Sequence, residues 1–381
     1  MTKEAPIRPD TALIERLMRM GAGDLKKCMQ CATCTSACKL STDEYPFPRK
    51  QVLAAQWGLK DELLEDPSPW LCFYCGQCSK TCTRGAKPGE IMMALRRYLT
   101  SEYDWTGLSR FLYRSAVGEI GVLLLVALLV VGLFTVPASF GFRLLSQSGP
   151  APLANVMLDK FAPKHVVHIA DMLLAVLLGA LLLVNAGRMF KRLTARHPIP
   201  ARFYFRHAAG LLVQGVTQIR WKGCQDGDAM RNWIRHLALV TGYGTIFTLV
   251  VVFLPWFQVE NSGVHWTAIL GYYATAILLA TTAWMLFDRI TKRTEMHRFS
   301  HLSDWMFPVL LFLTAASGIL VHILRRMDQP MPTYEMYMVH LAIAVPMLVV
   351  EVPFGKWAHL LYRPLAIFIA EAREDAKRCG V

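Results

Sequence analysis

The chain has 381 residues, is 54% apolar and carries a formal charge of +13. Its mean hydropathy is positive and its apolar residues concentrate after residue 115, which excludes an ordinary soluble globular protein and indicates a soluble head on a membrane body. The charge has no basic, aromatic-interleaved soluble surface beside it, so nucleic acid is not indicated, and residues 1–27 lack the apolar core of a signal peptide.

In chain order, residues 10–27 read as a helix with Leu13, Leu17, Met18 and Met20 on one face, broken at Gly21 and Gly23. The first cysteine run follows, CMQCATCTSAC, with Cys28, Cys31, Cys34 and Cys38. A second helix is expected over Pro48 to Leu64. Then comes the second run, CFYCGQCSKTC, with Cys72, Cys75, Cys78 and Cys82, and a third helix from about Pro88 through IMMALRRYL. No strand alternation separates these elements, and the methionines and tryptophans among them read as packing.

Both runs are spaced C-x2-C-x2-C-x3-C. This spacing wraps three thiolates around one [4Fe-4S] cube and sends the fourth to its neighbour. It therefore assigns Cys28, Cys31, Cys34 and Cys82 to one cluster, and Cys72, Cys75, Cys78 and Cys38 to the other, close enough to exchange electrons. Zinc is the alternative, but zinc sites use pairs of C-x2-C and leave the third and fourth cysteines unexplained. The proline that usually follows such a run is replaced by Lys39 and Thr83, a change that bears on the local turn and the potential rather than on ligation. Cys224 and Cys379 fall in segments placed inside the cell, so no disulfide framework is expected.

The head, about residues 10–105, resembles the all-helical two-cluster ferredoxin domain of heterodisulfide reductase C subunits and of succinate dehydrogenase iron–sulfur subunits. The phrase RGAKPGEIMMALRRYL after the second run shares in that resemblance.

Six windows are apolar enough to cross a hydrocarbon core, which takes roughly 20 residues. They lie at about 116–136, 166–187, 237–256, 267–287, 304–324 and 337–358. Connections 188–235 and 288–303 are rich in lysine and arginine, whereas 137–164, 257–265 and 325–336 are poor in them. The basic side belongs to the cytoplasm, so the head and both termini are expected there, in a multi-pass protein of the cell's inner membrane.

Histidines near these windows are functional candidates, because an ionisable group in a bilayer is costly. His236 opens the third window and His359 ends the sixth at the cytoplasmic face; His322 ends the fifth and His340 begins the sixth at the outer face. Sorted by depth, His236 pairs with His359 and His322 with His340, two bis-imidazole sites for haem b. A single such histidine could equally snorkel to the headgroups. His165 and His168, beside Asp171 at the outer start of the second window, could replace His322 or handle quinone protons. His197, His207, His265, His297 and His301 read as loop or interface residues. Residues 208–220 suggest an amphipathic surface helix.

The segment VHLAIAVPMLVVEVPFGKWAHLLYRP resembles the final helix of the gamma subunit of respiratory nitrate reductase, where two histidines hold two stacked haems. His340, Pro353, Phe354, Lys356 and His359 match. On an ideal helix the second imidazole here is rotated by about 100° from the first, and Pro346 and Pro353 can absorb the excess through a kink or bulge. The third window offers His236 but no second histidine, so His322 must serve from the fifth.

The expectation is an all-α chain: a soluble helical iron–sulfur domain over 1–110, a transmembrane haem b domain over 111–370 and a cytoplasmic tail over 371–381. The chain lacks a G-x-G-x-x-G turn for flavin or nicotinamide and lacks the adjacent Cys-Cys pair of heterodisulfide reductase catalytic subunits. The fused head and body resemble the C subunits of quinone-interacting membrane-bound oxidoreductase complexes of sulfate reducers. That resemblance implies menaquinone as substrate, flavin-containing partners related to heterodisulfide reductase A, and electron delivery to adenylylsulfate reductase. The alternatives are the membrane component of another quinone- or methanophenazine-linked reductase, and a redox sensor or anchor that never turns over.

Overall fold

A computed structural model of the chain describes residues 8–42, 45–135, 154–223, 229–257, 265–293 and 295–380, and among them it has helices and no strand. Cys224 and much of connections 137–164 and 257–265 lie outside the described residues. In the head, α1 (Leu13–Arg19), α2 (Thr33–Ser36), α3 (Arg49–Gln56), α4 (Lys60–Leu64), α5 (Ser68–Leu71) and α6 (Gln77–Lys80) surround the longer α7 (Pro88–Tyr103). Pro88 suits the first position of α7, where a missing N–H costs no hydrogen bond, and Glu90 complements the positive end of its dipole. Asp104 ends α7 and turns the chain, accepting hydrogen bonds from the N–H groups of Thr106 and Ser109 at the start of α8 (Leu108–Arg114). The helices expected over 10–27 and 48–64 are each split: α1 is followed by a short 3-10 turn at Leu25–Lys27, and α3 and α4 part at Gly58, whose φ of +70° a side chain would resist.

The body comprises α9 (Ala116–Thr135), α10 (Leu158–Phe161), α11 (Lys164–Thr194), α12 (Ala201–Thr217), α13 (Ala229–Val251), α14 (Leu254–Phe257), α15 (Trp266–Ile290), α16 (Glu295–Arg298), α17 (Ser303–Arg326), α18 (Pro330–Pro346), α19 (Val352–Phe354) and α20 (His359–Arg378). Six helical stretches among the described residues are long and apolar enough to cross a membrane: α9, α11, α13, α15, α17 and the composite Pro330–Phe354. The last combines α18, a π-helical stretch at Met347–Glu351 and α19. Pro346, which lacks an N–H, stands where the α geometry gives way. This span ends at Phe354, so His359 does not close it; after Gly355 and a 3-10 turn at Lys356–Ala358, His359 opens α20 instead. The amphipathic segment is α12, which lies along α20.

Head and body share one core. Leu13, Leu17, Val52, Trp70, Ile91, Leu95 and Tyr98 of the head pack with Met189 and Leu193 of α11 and with Tyr362, Ala366 and Ile369 of α20, all buried. The Tyr362 ring sits 5.3 Å from that of Trp70 and 5.7 Å from that of Tyr103, in the tilted and edge-on arrangements aromatic pairs prefer. A second joint is ionic. Asp304, at the start of α17, meets Arg97 of α7 at 2.7 Å and Lys356 at 2.8 Å, and Arg97 also donates to the Met20 carbonyl. These contacts seat the head against one end of the bundle.

Candidate metal centres

The two cysteine runs fold alike. Counting from the first cysteine of each run, the second and fourth following residues have left-handed backbone: Gln30 and Ala32 in one, Tyr74 and Gly76 in the other. Each loop then enters a short helix whose second residue is the third cysteine, Cys34 in α2 and Cys78 in α6, and these helices touch. Left-handed residues curl the chain so that backbone N–H groups and thiols turn to the inside of the loop.

Two cavities result. Cys28, Cys31, Cys34 and Cys82 line one, together with Gln30, Thr33 and Arg84. Cys38, Cys72, Cys75 and Cys78 line the other, with Phe47, Tyr74 and Met92. Donors already reach the sulfurs: the Gln30 amide to Cys28 Sγ at 3.6 Å, the Ala86 N–H to Cys82 Sγ at 3.4 Å, and the Tyr74 N–H to Cys72 Sγ at 3.3 Å. Such hydrogen bonds orient the sulfurs and would tune a metal bound to them.

The cavities differ in setting. Cys31 is exposed at the first, and its hydrogen bond with Thr33 holds the thiol below its ordinary range. The second is deeper: burial pushes Cys38 up to about 11 and raises Cys72 and Cys78, with neighbouring thiols adding to the shift at Cys38 and Cys78. Thiols crowded in this way stay protonated unless a cationic centre among them takes the negative charge. Among the described residues, no three histidine, cysteine, aspartate or glutamate side chains converge on a point that could hold a single ion. A zinc ion needs its sulfurs within about 2.3 Å. Four thiols spread around a void suit a polynuclear cluster.

In the bundle, His359 Nδ1 lies 2.5 Å from the Lys356 carbonyl, a contact in which the ring must donate, so Nε2 keeps its lone pair. Burial pushes this imidazole down to about 3, with His236 among the nearby groups that disfavour a charge on it. His359 is thus neutral and His236 is its neighbour. His340 contacts Ser317 through Nδ1 at 3.0 Å, again leaving Nε2. Its ring packs against α17, where a Cβ on Gly318 would stand 3.2 Å from it. His322 differs, since its Nε2 is engaged by Tyr272 Oη at 2.8 Å. At His340 and His359 the fixed Nδ1 partner leaves Nε2 with a lone pair that could ligate a metal such as haem iron. His322 as it stands commits that nitrogen elsewhere.

At the far end of the bundle, His165 is exposed at the start of α11, while His168 lies near Asp171 and Asp171 near Tyr337. Of the remaining histidines, His207 meets Asp375 at 3.3 Å, and His265 and His301 each bond a side chain two residues on.

Several residues that sequence reasoning passed over connect these parts. Arg363, one turn beyond His359 on α20, holds its guanidinium 5.8 Å from the centre of the Phe73 ring and bears electrostatically on Cys72, His236 and His359. Arg96 of α7 bonds the carbonyls of Pro69, Trp70 and Cys72. Two cations therefore flank the second cavity, the half-buried Arg96 and the buried Arg363, the latter on the side facing the histidines. Only the proximity of Arg363 to the matched His359 could have drawn attention to it.

A family model described as a 4Fe-4S dicluster domain matches residues 24–86. A protein of Archaeoglobus profundus that is named for its likeness to the C subunits of heterodisulfide reductase is 40% identical over 101 residues, which are 25% of this chain and 54% of that protein. The C subunit of the H(2):CoB-CoM heterodisulfide,ferredoxin reductase of Methanothermobacter thermautotrophicus is 34% identical over 88 residues, 23% of this chain and 47% of its own. The C subunit of the ferredoxin:CoB-CoM heterodisulfide reductase of Methanosarcina acetivorans is 32% identical over 80 residues, 20% and 31% respectively. The chain spans about half the length of the first two relatives and less of the third, and no solved structure matches it. The head is a 4Fe-4S domain similar to heterodisulfide reductase C subunits, carried by a multi-pass membrane protein.

Proposed function

We propose that this chain is the membrane electron-transfer subunit of a quinone-linked oxidoreductase complex, passing electrons between menaquinone and soluble flavin- and iron–sulfur-containing partners. Cys28, Cys31, Cys34 and Cys82 would hold one [4Fe-4S] cluster and Cys72, Cys75, Cys78 and Cys38 the other. His236 with His359 would hold one haem b and His340 the other, which His322 would join only on releasing its Nε2 from Tyr272 Oη. Bound there, these groups supply the one-electron carriers that protein side chains lack.

The observation that carries this reading is the position of Arg363, which neighbours the second cysteine cavity through Phe73 and Cys72 and neighbours His236 and His359 at the same time. One side chain thus borders both candidate redox sites. The protein's own part is to hold them in fixed relation. The Lys356 carbonyl orients His359, Ser317 orients His340, and Arg96 and Arg363 place positive charge beside Cys72, where it favours an added electron. The exposed Cys31 puts the first cavity at the surface, where a soluble partner can reach it. His165, His168 and Asp171 would serve quinone at the opposite end.

The lysine- and arginine-rich connections support a cytoplasmic head in an inner membrane. Resemblance to the C subunits of quinone-interacting membrane-bound oxidoreductases supports heterodisulfide reductase A-like flavoproteins as partners and adenylylsulfate reductase as the downstream acceptor. A second reading, a membrane component of a heterodisulfide reductase-type complex, is favoured by the names of the relatives. Copurifying subunits separate the two. Anaerobic purification with iron, sulfide and haem counts, followed by addition of a menaquinol analogue, tests the reading. Iron for two cubanes and two haems, with haem reduced by the quinol, is expected; cluster-loaded protein without haem would overturn it.

A further inference from the structure

Glu119 opens the first spanning helix, α9, and Glu351 ends the π-helical stretch in the last. Both are buried, with 3% and 1% of their surface exposed. Their carboxyls approach one another where the bundle meets the head. Among the described residues, neither oxygen of Glu351 has a hydrogen-bond partner, and neither has Oε2 of Glu119. The Lys356 N–H faces Glu351 without closing a hydrogen bond to it. The Glu351 side chain folds back over its own chain at Gly355, where a Cβ would stand 2.3 Å from Oε2, so the site needs glycine there.

The charged and titratable groups facing the pair are Arg97 from α7, Tyr113 from α8, Asp304 from α17 and Lys356 from the turn after α19. The two cations are already committed, each to one oxygen of Asp304. Two carboxylates side by side in a buried place cannot both stay ionised without a cation of their own, and an unsatisfied carboxylate oxygen here would carry the full cost of desolvation. One proton placed between them removes the repulsion and supplies the missing hydrogen bond.

We infer that Glu119 and Glu351 form a proton-binding site that holds a single exchangeable proton between the two carboxyls at neutral pH. The site lies beside the Lys356–Asp304–Arg97 ion chain leading into the head, so proton uptake or loss there can compensate charge brought to the junction. This inference does not depend on which cofactors the chain carries.

Infrared spectroscopy of the purified full chain at pH 7 tests it, by difference between wild type and the double variant Glu119→Gln/Glu351→Gln. The expected difference is a protonated-carboxyl C=O band with the area of one carboxyl per chain, shifted in D2O. No band, an area of two carboxyls, or a band indifferent to D2O would overturn the inference. Where the double variant does not fold, each single variant reads the same proton. Removing either member takes away the carboxylate that shares the proton, so the band must shift or vanish in each single variant, and a band unchanged in either one would overturn the sharing.

Discussion

The guanidinium of Arg363 lies 5.8 Å from the centre of the Phe73 ring, so a residue of the C-terminal helix reaches into the second cysteine loop. Burial and the nearby Arg96 lower the affinity of Arg363 for its proton, to about 9, while Cys72 works in the opposite direction. A positive charge in this position favours the reduced form of whatever the loop holds.

Replacing Arg363 with methionine keeps much of the side chain's bulk and removes that charge. The midpoint potential of the cluster built on Cys72, Cys75 and Cys78 should fall by on the order of 60 mV, the one-electron equivalent of a tenfold change. An EPR-monitored redox titration checks this, and the other cluster should move less. An unchanged or higher potential would show that Arg363 only packs.

Asp304→Asn should loosen the joint between head and bundle. The variant leaves Arg97 buried without its carboxylate, a loss of about 3–5 kcal/mol for a pair of this kind. The Lys356 half contributes little more, since that side chain is 36% exposed and screened. Thermal unfolding of the full chain in detergent should show a clear drop for Asp304→Asn. Changing Asp304, Arg97 and Lys356 together to apolar residues should recover part of it, because no uncompensated charge then remains.

Cys82→Ser should damage the cluster held by Cys28, Cys31 and Cys34 more than the one held by the rest of its own run, since Cys82 lines the cavity of the first run. Low-temperature EPR separates the two signals. Loss confined to the cluster of Cys72, Cys75 and Cys78 would contradict the crossed arrangement.

Glu90 of α7 accepts a hydrogen bond from Tyr74 at 2.6 Å, and burial, only partly offset by that bond, pushes its carboxyl up to about 7. The folded chain therefore binds this proton more tightly than the unfolded chain does. Between about pH 4.5 and 7 the native state holds more protons, so this group makes stability fall as pH rises through that window. The effect is on the order of 1–3 kcal/mol. Comparing the pH dependence of thermal unfolding in wild type and Glu90→Gln checks it, and the variant should show the shallower decline.

Much of this architecture can be read locally. The cysteine spacing is legible in the two runs, and apolar stretches of spanning length show, among the described residues, six spanning helices in an all-α chain. The bounds of the spans are less legible. The sixth begins at Pro330, because the polar turn through Tyr334 and Tyr337 is covered by Phe161 and Leu158 from a distant part of the chain. It stops at Phe354, because Gly355 adopts an extended conformation that an apolar pattern does not announce. The joint between head and body is illegible for a related reason. Arg97 and Asp304, or Phe73 and Arg363, are far apart in sequence and meet only once the helices have packed. Glu119 and Glu351 did carry a signal, since a carboxylate inside an apolar span is costly unless it is used.

The central claim is that His359 joins the membrane bundle to the iron–sulfur head in one electron path. Its most direct test follows haem absorption and cluster EPR in the anaerobically purified full chain after a menaquinol analogue is added, in wild type and in His359→Ala. The account predicts that wild type reduces both haems and the clusters, and that the variant loses one haem and reduces its clusters far more slowly. Two haems retained in His359→Ala, with cluster reduction at the wild-type rate, would contradict it.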